Sequence, residues 1–258
     1  MEQLEETLGD FAAICPDPPT KRGVCPRCER PNPVCYCGEI VAEPFSIRSH
    51  VFMLQHPNEV KRCLRTTKII ELSIPTENYH LYRCKRISER KFPTLFSMLE
   101  DNSRESVLVF PSNKAEPLHS LPNDLDSKPY NIVMLDGTWS QAKVLYNSNP
   151  VIRSLRCIQL ENSERSRYVI RTQPTETCLS TVEAVGLVLS HVERKPEIMD
   201  WFTRPLKAIC DFQLDNGAVE HQSKEYLITN GLYQKPLNKK IQKSLDLKLK
   251  LDIKDLLC

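Results

Sequence analysis

Two groups of residues in this sequence have the types and spacing that chemistry needs. The first is a cluster of thiols: Cys25 and Cys28 form a C-x-x-C pair, and Cys35 and Cys37 follow as C-x-C. Four thiolates so close in sequence can complete a tetrahedral shell around one zinc ion, leaving no position for water, so the expected site is structural. A segment this short, broken by Pro26, Pro31, Pro33 and Gly38, cannot fold on burial alone, and metal bonds would supply its stability. The competing reading is free or redox-active thiols. The second group centres on Asp136, in Ile132-Val133-Met134-Leu135-Asp136-Gly137-Thr138-Trp139-Ser140-Gln141-Ala142. A carboxylate there is a candidate general base or ligand contact, provided the chain aims it at an opening.

The elements around Asp136 predict such an opening. The apolar run 132–135 reads as a buried strand, and Gly137 releases the chain in a sharp turn. Thr138 and Gln141 have the spacing of a capping box, and Trp139, Ala142, Leu145 and Tyr146 recur at helical period until Pro150. Asp136 is therefore expected at a strand's carboxyl end, facing a helix N-terminus, where open parallel sheets bind ligands. Asp-Gly is also a hairpin signal, but the period after it is 3.6 and not 2. Ser180 and Glu183 repeat the capping box, ahead of a helix with Val182, Val185 and Leu189 inward.

The rest of the chain predicts more strands of the same kind. Residues 51–54, 79–84, 106–110 and 154–160 read as strands, and His56 falls just past the first, as a structural hydrogen-bonder or a direct participant. A helix over about 60–72, capped by Asn58, would set Arg62, Arg65 and Lys68 along one side. Residues 165–171 alternate as a strand would, with Arg165, Arg167 and Arg171 on one face and Tyr168 on the other. Both basic groups suit RNA phosphates with Tyr168 for stacking, or are merely solvated charge. Helices are further expected over 94–99 and 197–212, the latter in spite of Pro205; 113–130 reads as a surface excursion.

Bulk properties narrow the class. The 258 residues, 40% hydrophobic and 26% charged, describe a globular chain of one or two domains. With 35 Lys and Arg against 33 Asp and Glu, nucleic-acid affinity must come from local clusters. No apolar run spans a bilayer and the N-terminus is acidic, so no membrane association is expected, and a cytoplasmic protein is, with a nuclear pool admitted by the lysine-rich tail. With seven glycines and no G-x-G-x-x-G turn, a nucleotide-binding oxidoreductase is disfavoured.

Together, the cysteine cluster, His56-Pro57-Asn58-Glu59, Asp136-Gly137-Thr138-Trp139-Ser140-Gln141-Ala142, Arg167-Tyr168-Val169-Ile170-Arg171 and Leu179-Ser180-Thr181-Val182-Glu183-Ala184 resemble the DTW-domain proteins. These are tRNA-uridine aminocarboxypropyltransferases related to the knotted SPOUT methyltransferases. The resemblance implies an α/β, SPOUT-like knotted parallel-sheet domain over 46–215. A zinc-binding ribbon over 21–45 would precede it, after a mobile segment over 1–20, and an extension with a basic tail over 216–258 would follow. It implies transfer of the 3-amino-3-carboxypropyl group of S-adenosylmethionine to the imide nitrogen of a tRNA uridine. Phe110, Pro111, Leu135, Asp136, Thr138, Trp139, Leu179, Ser180 and Thr181 would cradle the donor. Asp136 is the first candidate base and Glu183 the second. Arg62, Arg65, Lys68, Arg165, Arg167, Tyr168 and Arg171 would meet tRNA, and a monomer is expected. The rivals are an RNA methyltransferase on the same fold and a non-catalytic zinc-ribbon RNA-binding protein.

Overall fold

The computed structural model describes residues 22–62, 64–124, 126–161 and 164–236. The expected lead-in over 1–20 and the alternation of Leu245, Leu247, Leu249, Leu251 and Ile253 lie outside them.

Apolar runs bounded by breakers become the strands β1 (His50–Gln55), β2 (Tyr79–Arg83), β3 (Glu105–Val109), β4 (Glu116–Pro117), β5 (Tyr130–Asp136) and β6 (Arg156–Gln159). They form one sheet in the order β2-β1-β5-β3-β6-β4, with every neighbouring pair parallel. Parallel strands need crossovers, and these are the helices α1 (Thr67–Ser73), α2 (Pro93–Leu99), α3 (Trp139–Ser148) and α4 (Pro150–Arg153). After β6 the chain adds α5 (Thr181–Val192), α6 (Glu197–Asp215) and α7 (Lys224–Thr229). No helix among the described residues is long and apolar enough to cross a membrane.

Strand period two sends alternate residues to two cores. Val51, Met53, Ile132 and Met134 pack with Ile69 and Ile70 of α1, Val185 and Leu189 of α5, and Phe202 and Leu206 of α6. Phe52, Leu54, Leu108 and Val133 pack on the other face with Leu95 of α2, Ala142 of α3 and Ile152 of α4. Gly186 of α5 lets α6 approach closely: a Cβ there would lie 3.1 Å from the Met199 sulfur and 3.2 Å from the Phe202 ring. Cys28 and Tyr36 of the thiol segment are buried in the first core, beside Ile209 and Cys210 of α6.

Three local expectations are corrected. The helix over 60–72 is not continuous. A 3-10 turn, Pro57–Lys61, ends in extended backbone at Arg62, and α1 starts only at Thr67. The cap of the 3-10 turn is His56, whose Nδ1 accepts the Asn58 N–H at 3.2 Å, and not Asn58 itself. Residues 165–171 are not a strand, because the inward carboxylate of Glu183 gathers them: it accepts the Ser166 hydroxyl at 2.7 Å and the Arg167 N–H at 2.6 Å. Gly137 makes the expected turn without left-handed backbone, which among the described glycines only Gly217 and Gly231 use. It is needed because a Cβ would lie 2.9 Å from the Gln141 side chain, which must reach back to cap α3.

Candidate active site

The site begins with two capping boxes. Thr138 caps α3: its N–H donates to Gln141 Oε1 at 2.6 Å, and its Oγ1 accepts the Gln141 N–H at 3.4 Å. Ser180 caps α5 in the same way, through Glu183, with Ser180 N–H to Glu183 Oε2 at 2.8 Å. The reciprocal bonds hold both helix N-termini at the carboxyl ends of the strands, with first-turn N–H groups free for a ligand. They border a cleft of about 680 Å³, a size that suits a nucleoside-based ligand. One wall is the strand ends, Val109, Phe110, Pro111, Met134 and Leu135; another is Trp139; a third is the loop from Arg171 to Leu179. Phe110 stacks on Tyr146 with ring centroids 4.6 Å apart, and Trp139 is tilted against Phe110 at 6.4 Å, so two aromatic side chains, Phe110 and Trp139, line the cleft at an angle to each other.

Asp136 is placed differently from the expectation of a ligand-facing base. The residue is 7% exposed and is absent from the cleft wall. Parallel register sets Arg83, Gln55 and Asp136 side by side on three strands. Arg83 Nε donates to Gln55 Oε1 at 3.2 Å, and Gln55 Nε2 donates to Asp136 Oδ2 at 2.8 Å. The second oxygen, Oδ1, accepts the Thr181 hydroxyl at 2.9 Å. Thr181 does line the cleft, so Asp136 stands one side chain behind it. Glu183 is 1% exposed, and Ser166, Arg167 and Ser180 donate to its carboxylate. It organises the loop and is not positioned as a base. Among the described residues, no carboxylate and no histidine lines the cleft; its ionisable groups are Arg171, Lys224 and Cys178. His56 is buried against the Asp136 strand, and burial lowers its pKa, which keeps the ring neutral.

The four clustered cysteines converge. Their sulfurs all lie within 4.8 Å of one another, with Cys25 to Cys37 at 3.7 Å and Cys28 to Cys35 at 3.6 Å. A tetrahedral ion with bonds of about 2.3 Å would separate its sulfurs by about 3.8 Å, so the donor set fits zinc in type, number and spacing. Backbone N–H groups of Cys28 and Arg27 lower the Cys25 thiol to about 6, while burial raises Cys28 and Cys37. A divalent cation at the centre would favour the thiolate form of all of them.

The DTW domain family model matches residues 22–214. The chain belongs to the DTW domain family. It is 41% identical over 237 residues to tRNA-uridine aminocarboxypropyltransferase 2 of Drosophila melanogaster, covering 92% of this chain and 93% of that protein. Proteins of the same name from Macaca fascicularis and Mus musculus are 37% and 38% identical, over 88% and 86% of this chain and 76% and 74% of theirs. No solved structure matches.

Within this DTW domain the cleft brings together Phe110, Pro111, Leu135, Thr138, Trp139, Leu179, Ser180 and Thr181, and leaves Asp136 behind them. The expected basic row is not formed. Arg62 pairs with Glu59 at 2.9 Å, Arg65 with Glu29 at 2.9 Å, and Lys68 with Glu29 and Glu71 at 3.0 and 2.7 Å. Arg65 and Lys68 thereby tie the thiol segment to α1. Tyr168 is buried, its hydroxyl directed to the Leu64 carbonyl at 3.4 Å, so its ring is closed to base stacking. Arg167 donates to the Thr203 hydroxyl at 2.9 Å, and Arg165 to the His221 carbonyl at 3.1 Å. Arg171 alone of the seven enters the cleft wall.

Two contributors were not anticipated. Gln55 ends an apolar run just as Asp136 does, and that shared position was the available signal. Lys224 lies beyond the family match, on a strap that hydrogen-bonds to the cleft loop. Its N–H donates to the Gln173 carbonyl at 2.7 Å, the Glu225 N–H to the Pro174 carbonyl at 3.1 Å, and the His221 N–H to the Val169 carbonyl at 2.7 Å. No local pattern signals that docking.

Proposed function

We propose that this chain transfers the 3-amino-3-carboxypropyl group of S-adenosylmethionine to the ring imide nitrogen of a tRNA uridine, on a SPOUT-like knotted fold. The observation that carries the reading is the cleft: a nucleoside-sized opening at parallel strand ends, lined by aromatics and edged by two helix N-termini, inside the span shared with the named relatives. The nitrogen bonds to Cγ of the donor as the Cγ–sulfur bond breaks. The electron pair returns to sulfur, methylthioadenosine leaves neutral, and the imide proton passes to solvent water.

Each wall has a part in this. Phe110, Pro111, Leu135 and Trp139 hold the adenosine by stacking and burial. First-turn N–H groups of α3 or α5, whose caps are Thr138 and Ser180, take the donor carboxylate. The imide nitrogen is a poor nucleophile while protonated, and the cations Arg171 and Lys224 favour its anion by charge. Asp136, with both oxygens already satisfied, acts on the donor through Thr181 and not by touching the uridine. Cys25, Cys28, Cys35 and Cys37 would hold a structural zinc, which would join the thiol segment to the core.

Incubating the purified chain with S-adenosylmethionine and unmodified tRNA, then measuring nucleoside masses, tests the reaction. Aminocarboxypropyl-uridine is the expected product, and Asp136→Asn should form it about a hundredfold more slowly, by loss of donor positioning. A methylated nucleoside would replace this reaction by methyl transfer. Intact tRNA binding with no modification would point to a binding module.

A further inference from the structure

The polar row that crosses three strands ends in an unusual place for a hydroxyl. Arg83 holds Gln55, Gln55 holds Asp136, and Asp136 Oδ1 accepts from Thr181 at 2.9 Å. A carboxylate has lone pairs and no proton to offer, so the bond has one direction only. Thr181 must give its single hydroxyl proton to Asp136. What its oxygen can then present to the cleft is acceptor lone pairs, with the carboxylate charge one hydrogen bond behind.

The surroundings have the opposite character. Two helix N-termini, Arg171 and Lys224 make the described wall electropositive, and no carboxylate lines it. Ser180 also lines the cleft with its hydroxyl on a buried carboxylate, Glu183, but its oxygen already accepts the Glu183 N–H as the cap of α5. Thr181, the first residue of α5, caps no helix, and the buried Asp136 charge behind it offsets the positive helix end there. The ligand proposed above carries both signs on one carbon, an ammonium and a carboxylate. We propose that Thr181 receives the α-ammonium of the aminocarboxypropyl arm, and that Asp136 and Gln55 are positioning residues that set the polarity of its hydroxyl. With the carboxylate on helix N–H groups, the ammonium on Thr181 and the adenosine on Phe110 and Trp139, both ends of the arm are held. Cγ, between them, is the carbon presented for attack.

This inference rests on the donor reading, and three thioethers separate the two. Calorimetric titration of the full chain would use S-adenosylhomocysteine, its desamino analogue with the carboxylate kept, and methylthioadenosine. The wild-type chain should bind S-adenosylhomocysteine at least tenfold tighter than the desamino analogue. Thr181→Val should bring that ratio close to one while leaving methylthioadenosine affinity unchanged, which also reports an intact cleft. Thr181→Ser should restore the ratio, and Gln55→Leu should reduce it partway. A Thr181→Val chain that keeps the wild-type ratio would overturn the inference and leave the donor reading standing. A wild-type chain that binds none of the three would overturn both.

Discussion

Glu183 shows what a buried carboxylate does when its neighbours are all donors. Four groups reach it: the Ser180 N–H at 2.8 Å, the Ser180 hydroxyl at 2.6 Å, the Ser166 hydroxyl at 2.7 Å and the Arg167 N–H at 2.6 Å. One side chain therefore caps α5 and pins the loop that walls the cleft. Glu183→Gln puts an amide N–H₂ against donors and leaves at least one buried group unpaired. It should destabilise the chain by about 3 kcal/mol, read as a lower denaturant midpoint with an unchanged slope. An unchanged midpoint would mean that the loop is held elsewhere. Both Asp136 and Glu183 have a donor in the cleft wall, but Ser180 Oγ already accepts the Glu183 N–H as the cap of α5, whereas the Thr181 hydroxyl, which donates to Asp136, caps no helix. That separates a purely structural carboxylate from one that acts on a ligand.

At the scale of elements, the cysteine segment is part of the main core and not an appended arm. Cys28 and Tyr36 are each 2% exposed and share a cluster with Ile209 and Cys210 of α6, while Glu29 pairs with Arg65 and Lys68. Metal loss should therefore be felt in α6 and α1 as well as in the segment itself. Elemental analysis of the purified chain should find one zinc per chain. Cys28→Ser should lose it, with a fall in melting temperature of several degrees and faster amide exchange in α6, because metal-bond energy in such segments is folding energy. Faster exchange confined to residues 22–41 would show instead that the segment folds by itself.

At the scale of the molecule, the cleft is finished by chain that returns from beyond the family match. The strap containing α7 lies along residues 169–174 through three backbone hydrogen bonds and contributes Lys224 to the wall. Removing that charge should affect the chemical step more than the fold. Lys224→Ala should keep the wild-type melting temperature, slow single-turnover transfer about tenfold and move the rising limb of its pH profile to higher pH, because the imide anion loses a neighbouring cation. A normal profile would take Lys224 out of the reaction and leave Arg171 as the relevant charge.

Much of this was legible in the sequence, and the legible part has a common cause. Both capping boxes, the apolar runs of β1, β3, β5 and β6, and the convergence of four cysteines depend on residues within a few positions of each other. The parallel α/β class follows, since such runs separated by helices admit few arrangements. What only the tertiary structure decided is which distant side chains meet. β5 inserts between β1 and β3, which sets Gln55 beside Asp136 and turns that carboxylate away from the cleft to a buried amide and Thr181. The alternation over 165–171 suggested a strand because period two is a local signal; the carboxylate of Glu183, from a later helix, overrode it. Lys224 belongs to the same class. Register, strand order and long-range hydrogen bonds choose partners across the chain, and no spacing within one segment encodes them.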